Sequence, residues 1–269
     1  MSKHTSYMVR ALAILSIAFS NVLYAAVIPL DINVTIRDFH QIHPDFQNSV
    51  SGVTTNMVGT SLVGGVPVFI GADNYGAVNN ATTFASWYAD CNPATPSLTC
   101  VNSYNVDLTA SVDTSTGELT YNSNSFFPLD SITGTSGDGD NFNNHNYFFT
   151  AQFELDLIYD PNLTNTFSFT GDDDVWVFIN GTRELDLGGV HGAATAGFDM
   201  NTVAANQGIQ AGELYKFSFF FAERHFSQSN VNITSYLGAP AVVPEPTNIA
   251  VLALSLLGLF GSTRNKARR

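Results

Sequence analysis

Residues 167–191 read FSFTGDDDVWVFINGTRELDLGGVH. Phe167 and Phe169 lead a strand into Gly171, and three adjacent aspartates follow, Asp172, Asp173 and Asp174. Val175, Val177 and Ile179 then alternate with Trp176 and Phe178, the period of an extended chain. Asn180-Gly181 is a hairpin signal, because both residue types accept the positive φ of a tight type I′ turn. Leu185 and Leu187 mark the returning strand, and Gly188-Gly189-Val190-His191-Gly192 forms a loop after it.

The same period-two pattern extends in both directions. Leu30, Ile32, Val34 and Ile36 alternate with polar residues, as do Phe153, Leu155, Leu157 and Tyr159. Tyr215, Phe217, Phe219 and Phe221 alternate with Lys216, Ser218 and Phe220, and Val231 and Ile233 with Asn232 and Thr234. Alternating runs bounded by Gly, Asn, Asp and Pro predict antiparallel strands with one buried face. Several in one domain predict an all-β antiparallel sandwich with long loops, around residues 48–80 and 131–146. A short helix is expected over Ala81–Tyr88, where Phe84, Trp87 and Tyr88 share a face.

The two ends set the compartment. Lys3 and Arg10, the apolar run 11–19 and the small residues near Ala25 have the order of a removable signal peptide over residues 1–25. At the other end Pro244-Glu245-Pro246 precedes an uncharged stretch from Thr247 to Thr263, just long enough to cross a bilayer. Arg264, Lys266, Arg268 and Arg269 close the chain and would stay cytoplasmic. The tripartite tail, residues 244–269, resembles the PEP-CTERM sorting signal of Gram-negative bacteria that make extracellular polysaccharide. That resemblance implies an exosortase-type partner and release or re-anchoring at the cell surface or in the matrix; an ordinary membrane anchor is the alternative.

Residues 26–243 form the expected single domain. Six of the ten basic residues and one of the 23 acidic ones lie in the terminal segments, which leaves 22 acids against four bases and a net charge of −18. Such a surface repels nucleic acid and anionic lipid and suits divalent cations. Cys91 and Cys100 are the only cysteines, and in an exported chain they are expected to form one disulfide.

Three carboxylates packed at the start of an apolar strand repel one another unless a cation lies among them. Calcium, which takes six to eight hard oxygen ligands, suits them best; a solvated acidic turn is the plainer reading. Asp138-Gly139-Asp140 resembles a calcium loop only weakly, since Phe142 stands at the next alternate position. Glu223 and Arg224 are expected to pair at the end of a core strand. Trp87, Tyr88 and Tyr75 are candidates for stacking on sugar rings, though core packing is the commoner fate of such residues.

The segments TGDDDVWVFING and LDLGGVHG, with Phe221-Ala222-Glu223-Arg224-His225, resemble the fibro-slime domain. So do Arg37-Asp38-Phe39, His43-Pro44-Asp45-Phe46, Phe126–Asp130 and His145–Thr150, in order from about residue 34 to 237. That family is similar to the protective-antigen-type sandwich of the PA14 superfamily, which includes yeast flocculin lectins. The resemblance implies that Asp172 and Asp173, joined by a cis peptide, bind calcium, which in turn holds two sugar hydroxyls. Asp174 stands where the lectins have glycine. His191 and His225 lie in matching blocks and are tentative carbohydrate contacts, with a structural role as the alternative.

A calcium-dependent glycan-binding protein, not an enzyme, is therefore the leading expectation. A structural matrix component without a discrete ligand and a glycoside hydrolase are the alternatives. No Gly-x-Ser-x-Gly elbow and no phosphate-cradling glycine loop with its lysine occur.

Overall fold

The structure is a computed structural model, and it describes residues 26–46, 49–91, 100–132, 141–142 and 144–238. The expected signal and sorting segments, including Pro244, Glu245 and Pro246, and the 138–140 loop lie outside these residues. Among the described residues no helix is long and apolar enough to cross a membrane, and the expected span at 247–263 is not among them.

Among the described residues twelve strands carry the fold: β1 (Val27–Phe39), β2 (Cys100–Asp113), β3 (Glu118–Ser123), β4 (Asn141–Phe142), β5 (His145–Asn146) and β6 (Phe149–Ile158), then β7 (Thr166–Asp172), β8 (Asp174–Ile179), β9 (Thr182–Leu187), β10 (Ala194–Asp199), β11 (Leu214–Glu223) and β12 (Asn230–Ser235). Ten of them form one antiparallel sheet in the order β10-β7-β12-β3-β2-β1-β6-β11-β8-β9, and β4 and β5 pair separately. The sheet folds over on itself. Phe167 and Phe169 of β7 face Phe217 and Phe219 of β11 at ring separations of 5.3 and 6.0 Å, although several strands lie between them in the sheet. The expected sandwich is thus present, built from one continuous sheet.

β8 is buried along its whole length. Val175, Val177 and Ile179 enter the core between the layers. Trp176 and Phe178 point the other way, into a second aromatic cluster with Phe39, Phe46, Phe84, Trp87 and Phe220. That cluster explains the consecutive phenylalanines of β11, since Phe220 packs edge-on to Phe178 at 5.8 Å on the outer face. Segments from Phe39 to Tyr88 cover this face, so part of the stretch expected as long loops is a packed third layer. Isolated bridges tie it down at Thr54–Gly188 and Ser61–Thr182.

The β8–β9 hairpin turns on Asn180 and Gly181 with φ of 47° and 80°, as their sequence required. The helix expected over Ala81–Tyr88 is shorter, α1 (Ala81–Phe84), capped by the Asn80 side chain on the amides of Thr82 and Thr83. Beyond it Ser86 and Trp87 bond back three residues, to Thr83 and Phe84, and Thr150 Oγ1 takes the Trp87 carbonyl, so the α ladder cannot continue. A second helix, α2 (Met200–Gln207), was not expected, although Asp199 caps it on Thr202 and Gly208 ends it with a φ of 75°. Cys91 and Cys100 form the expected disulfide, with Cα atoms 5.4 Å apart.

Gly171 lets β12 close on the start of the acidic segment: a Cβ there would sit 2.0 Å from the Asn230 carbonyl oxygen and 2.6 Å from the Phe169 ring. Gly171→Ala should cost about 1–3 kcal/mol by forcing the two strands apart. Chemical denaturation checks this, and an unchanged midpoint would show that β12 is free to move.

Candidate functional site: an acidic cradle where two strands meet

β7 ends and β8 begins at the three aspartates, and the Asp172–Asp173 peptide bond is cis. All three residues are 3 % exposed or less. Each carboxylate has a different set of partners. Asp172 Oδ1 accepts from the Asn230 backbone N–H at 2.7 Å, and its Oδ2 from the Asn230 side-chain amide at 2.6 Å. Asp173 accepts from the backbone N–H groups of His191 at 3.0 Å and Arg224 at 3.1 Å. Asp174 takes the Arg224 guanidinium, Nε at 2.6 Å and Nη2 at 3.1 Å, together with the Gly189 N–H at 2.5 Å.

Arg224 is fully buried. Beyond Asp174 it donates to the carbonyls of Asp45, Ala77 and Gly76 at 3.0–3.2 Å, and its guanidinium lies 4.8 Å from the Trp87 ring centre. The expected Glu223–Arg224 pair is therefore corrected. Arg224 follows the last residue of β11 and points away from Glu223, into the outer layer and onto Asp174.

The consequence is a set of buried carboxyls without a matching cation. Burial raises the Asp172 carboxyl above the usual carboxylate range. Burial raises Asp173 to about 7 against the pull of Arg224, with the neighbouring Asp174 adding to the rise. Glu223 is pushed well above its ordinary value, by burial first and then by the charges of Asp173 and Asp172. One of its oxygens, Oε2, is buried and has no protein partner.

His191 and His225 border this cradle. The His191 ring Nδ1–H donates to the Gly192 carbonyl at 2.8 Å, which leaves Nε2 buried without a protein partner. His225 has a buried, unpartnered Nδ1 and tilts against Phe226 with ring centres 4.8 Å apart. Phe226 is 39 % exposed; sequence reading passed over it because nothing in its pattern separates it from a core phenylalanine. Trp87 and Tyr88, considered for sugar stacking, are core residues, the indole donating to Asp45 at 2.9 Å and the Tyr88 hydroxyl to the Phe221 carbonyl at 3.2 Å. Tyr75 is exposed and its hydroxyl donates to the Thr55 carbonyl.

Among the described residues no three His, Cys, Asp or Glu side chains converge to enclose a metal ion. A transition metal needs such a set. Calcium does not, because it also accepts backbone carbonyl, amide and water oxygens, and buried carboxylates lacking a cation are the donors it favours. Asp172 and Asp173 fit that role. Asp174 differs from them in having its charge matched by the Arg224 guanidinium, 2.6 Å away.

One other constellation has the outward form of hydrolase machinery. Ser86 Oγ lies 2.9 Å from His43 Nε2, and His43 Nδ1 lies 4.0 Å from an Asp45 oxygen. The hydrogen bonds run the wrong way for catalysis. His43 Nδ1 accepts the Asp45 N–H, so the ring proton is on Nε2, and Ser86 donates to the Thr83 carbonyl at 2.6 Å. The ring cannot take the serine proton in that tautomer, and the triplet serves to anchor the outer layer.

An antiparallel sandwich with paired, buried aspartates at a strand junction defines the class of protein. Residues 114–246 match the PA14 domain family. Its relatives include Protein psiD of Dictyostelium discoideum, 31 % identical over 77 % of this chain and 41 % of that one. Protein psiR of the same organism is 33 % identical over 72 % of this chain and 20 % of its own length. The chain thus spans less than half the length of these curated relatives. Among solved structures, the PA14 domain of the MpAFP antifreeze protein is similar over 35 % of this chain and 47 % of that one, with 16 % identity and a TM-score of 0.25. A PA14 sugar-binding domain from an RTX adhesin is similar over 33 % of this chain and 45 % of that one, with 13 % identity and a TM-score of 0.23.

Burial lowers the His43 pKa to about 4. A neutral imidazole is required in the fold, so its contribution is intact above the unfolded value near 6.5 and is lost as pH falls through that value toward 4. The loss should reach about 3 kcal/mol. His43→Gln keeps an acceptor and a donor, and it should show a smaller stability difference between pH ~7 and pH ~4.5 in urea titrations. Equal acid sensitivity in the two proteins would remove His43 from this role.

Proposed function

We propose that this chain is an exported, calcium-dependent carbohydrate-binding protein of the cell surface or extracellular matrix, associated with polysaccharide. The observation that carries this reading is the pair Asp172 and Asp173. Both carboxyls are buried and raised, and the one cation beside them, Arg224, gives its guanidinium to Asp174. Calcium held by these two residues would supply positive charge and free coordination positions to adjacent sugar hydroxyls. The chain's own residues do the rest. Asn230 and the His191 and Arg224 amides fix the carboxylates, and exposed Phe226 packs against His225 and offers an apolar edge.

Export follows from the N-terminal segment, and the PEP-CTERM-like tail supports sorting by an exosortase-type enzyme. The role is binding and not catalysis.

Calcium titration followed by calorimetry tests the site. Asp172→Asn and Asp173→Asn should each weaken calcium binding at least tenfold while leaving the fold in place. Asp174→Asn should act differently: removing one partner of a buried ion pair costs about 3–5 kcal/mol, so its main effect is a lowered melting temperature. Calcium binding that survives both Asp172→Asn and Asp173→Asn unchanged would refute the assignment. A calcium-dependent rise in melting temperature without binding to any glycan would instead favour a purely structural matrix role.

A further inference from the structure

β1 and β6 are neighbours in the sheet for only part of their length. Among the described residues they pair only over 35–38 and 149–152, the last pair being Thr35 with Gln152. Both strands run on from there, β1 back to Val27 and β6 forward to Ile158, each still paired on its other side with β2 and β11. The Tyr159 N–H donates to the Glu213 carbonyl on the β11 side. The Ile158 carbonyl belongs to the same peptide unit and so points the other way, as do the N–H and C=O groups of Asp156 and Glu154 by strand alternation. The edge of β6 that faces β1 is therefore a row of backbone donors and acceptors with no strand beside it among the described residues.

The floor of this cleft is apolar. A cavity of about 50 Å³ opens there, lined among others by Ile32, Val34, Phe153, Leu155, Leu119 and Tyr121. Continued past Thr35–Gln152, the β1–β6 register sets Val34 opposite Phe153 and Ile32 opposite Leu155. The alternate rows point outward and are polar, Asn33 opposite Glu154 and Asp31 opposite Asp156. An alkyl chain would fill the cavity and leave the backbone groups bare. An added strand satisfies both.

The outward rows also specify charge. Asp31, Asp107, Glu154 and Asp156 are exposed, and Asp107 accepts from the Asn33 side chain at 2.9 Å. One ammonium, that of Lys216, serves both Glu154 and Asp156 at 3.2 Å. Side chains directly opposite one another on neighbouring strands interact, so a strand placed here meets carboxylates on its outward face.

We propose that the cleft between β1 and β6 is a second binding site, which takes an extended peptide as an added strand. Apolar side chains of the peptide enter the cavity, and the basic ones between them lie outward beside Asp31, Glu154 and Asp156. The site is separate from the aspartate cradle and owes nothing to calcium.

The test uses a six-residue peptide alternating lysine and valine, followed by fluorescence anisotropy and by amide hydrogen exchange of the full chain. Binding is expected with or without EDTA, and a glutamate–valine peptide should bind at least about tenfold more weakly. Exchange at Glu154, Asp156 and Ile158 should be fast in the free protein and slow by at least about tenfold when the peptide is bound. Asp156→Pro removes an N–H from the open edge and no bond from the β11 ladder, so it should lose the peptide and keep its melting temperature, whereas Asp156→Asn should retain most binding. N-methylating the peptide at alternate residues should abolish binding without any change to the protein. Binding indifferent to N-methylation overturns the proposal, because side-chain contact alone then explains it. So does slow exchange at these three amides in the free protein, since the edge is then already covered by this chain or a second copy.

Discussion

The buried guanidinium of Arg224 holds the sandwich, its covering layer and the acidic cradle together. It neutralises Asp174 at the start of β8, takes three carbonyls from the outer layer and rests against Trp87, while its backbone N–H holds Asp173. Burying an arginine is costly unless its hydrogen-bonding groups are satisfied, and here they are. One residue therefore joins the sandwich, the covering layer and the acidic cradle. It also splits the aspartate triplet: the third carboxylate becomes part of the scaffold, and the first two are left without a cation of their own.

β8 and β11 are the strands most exposed to error in a two-layer reading. A strand with one buried face alternates, and Val175, Val177 and Ile179 do so against Trp176 and Phe178 only if aromatic residues stand on the opposite face. They do, because that face is also buried. The aromatic cluster beneath the outer layer is therefore a second core, and Asp45 is its polar tie, accepting from Asn79, Thr83 and Trp87.

Much of this was legible from the chain. Period-two hydrophobicity identified the strands, Asn180-Gly181 placed the hairpin, and the aspartate triplet marked the strand junction. What escaped was long-range. Arg224 beside Glu223 reads as a local pair, and nothing in the sequence says that the guanidinium turns away to Asp174. Trp87 and Tyr88 read as possible sugar platforms because nothing local shows that a layer covers them. α2 was missed although Asp199 and Gly208 are sound end signals, since its buried positions, Met200, Val203 and Ala204, are too few to stand out as a stripe.

The reach of the Arg224 hydrogen bonds has a consequence for how the molecule is put together. Its carbonyl partners at Asp45, Gly76 and Ala77 are 179, 148 and 147 residues away along the chain. All three precede residue 114, where the PA14 match begins. The matched segment by itself would carry a charged side chain stripped of the groups that solvate it. It is thus not a self-sufficient folding unit, and contacts of such long loop closure form late. A chain emerging from its N-terminus presents the covering layer first, and that layer has to wait for the last strands before either has its proper surroundings.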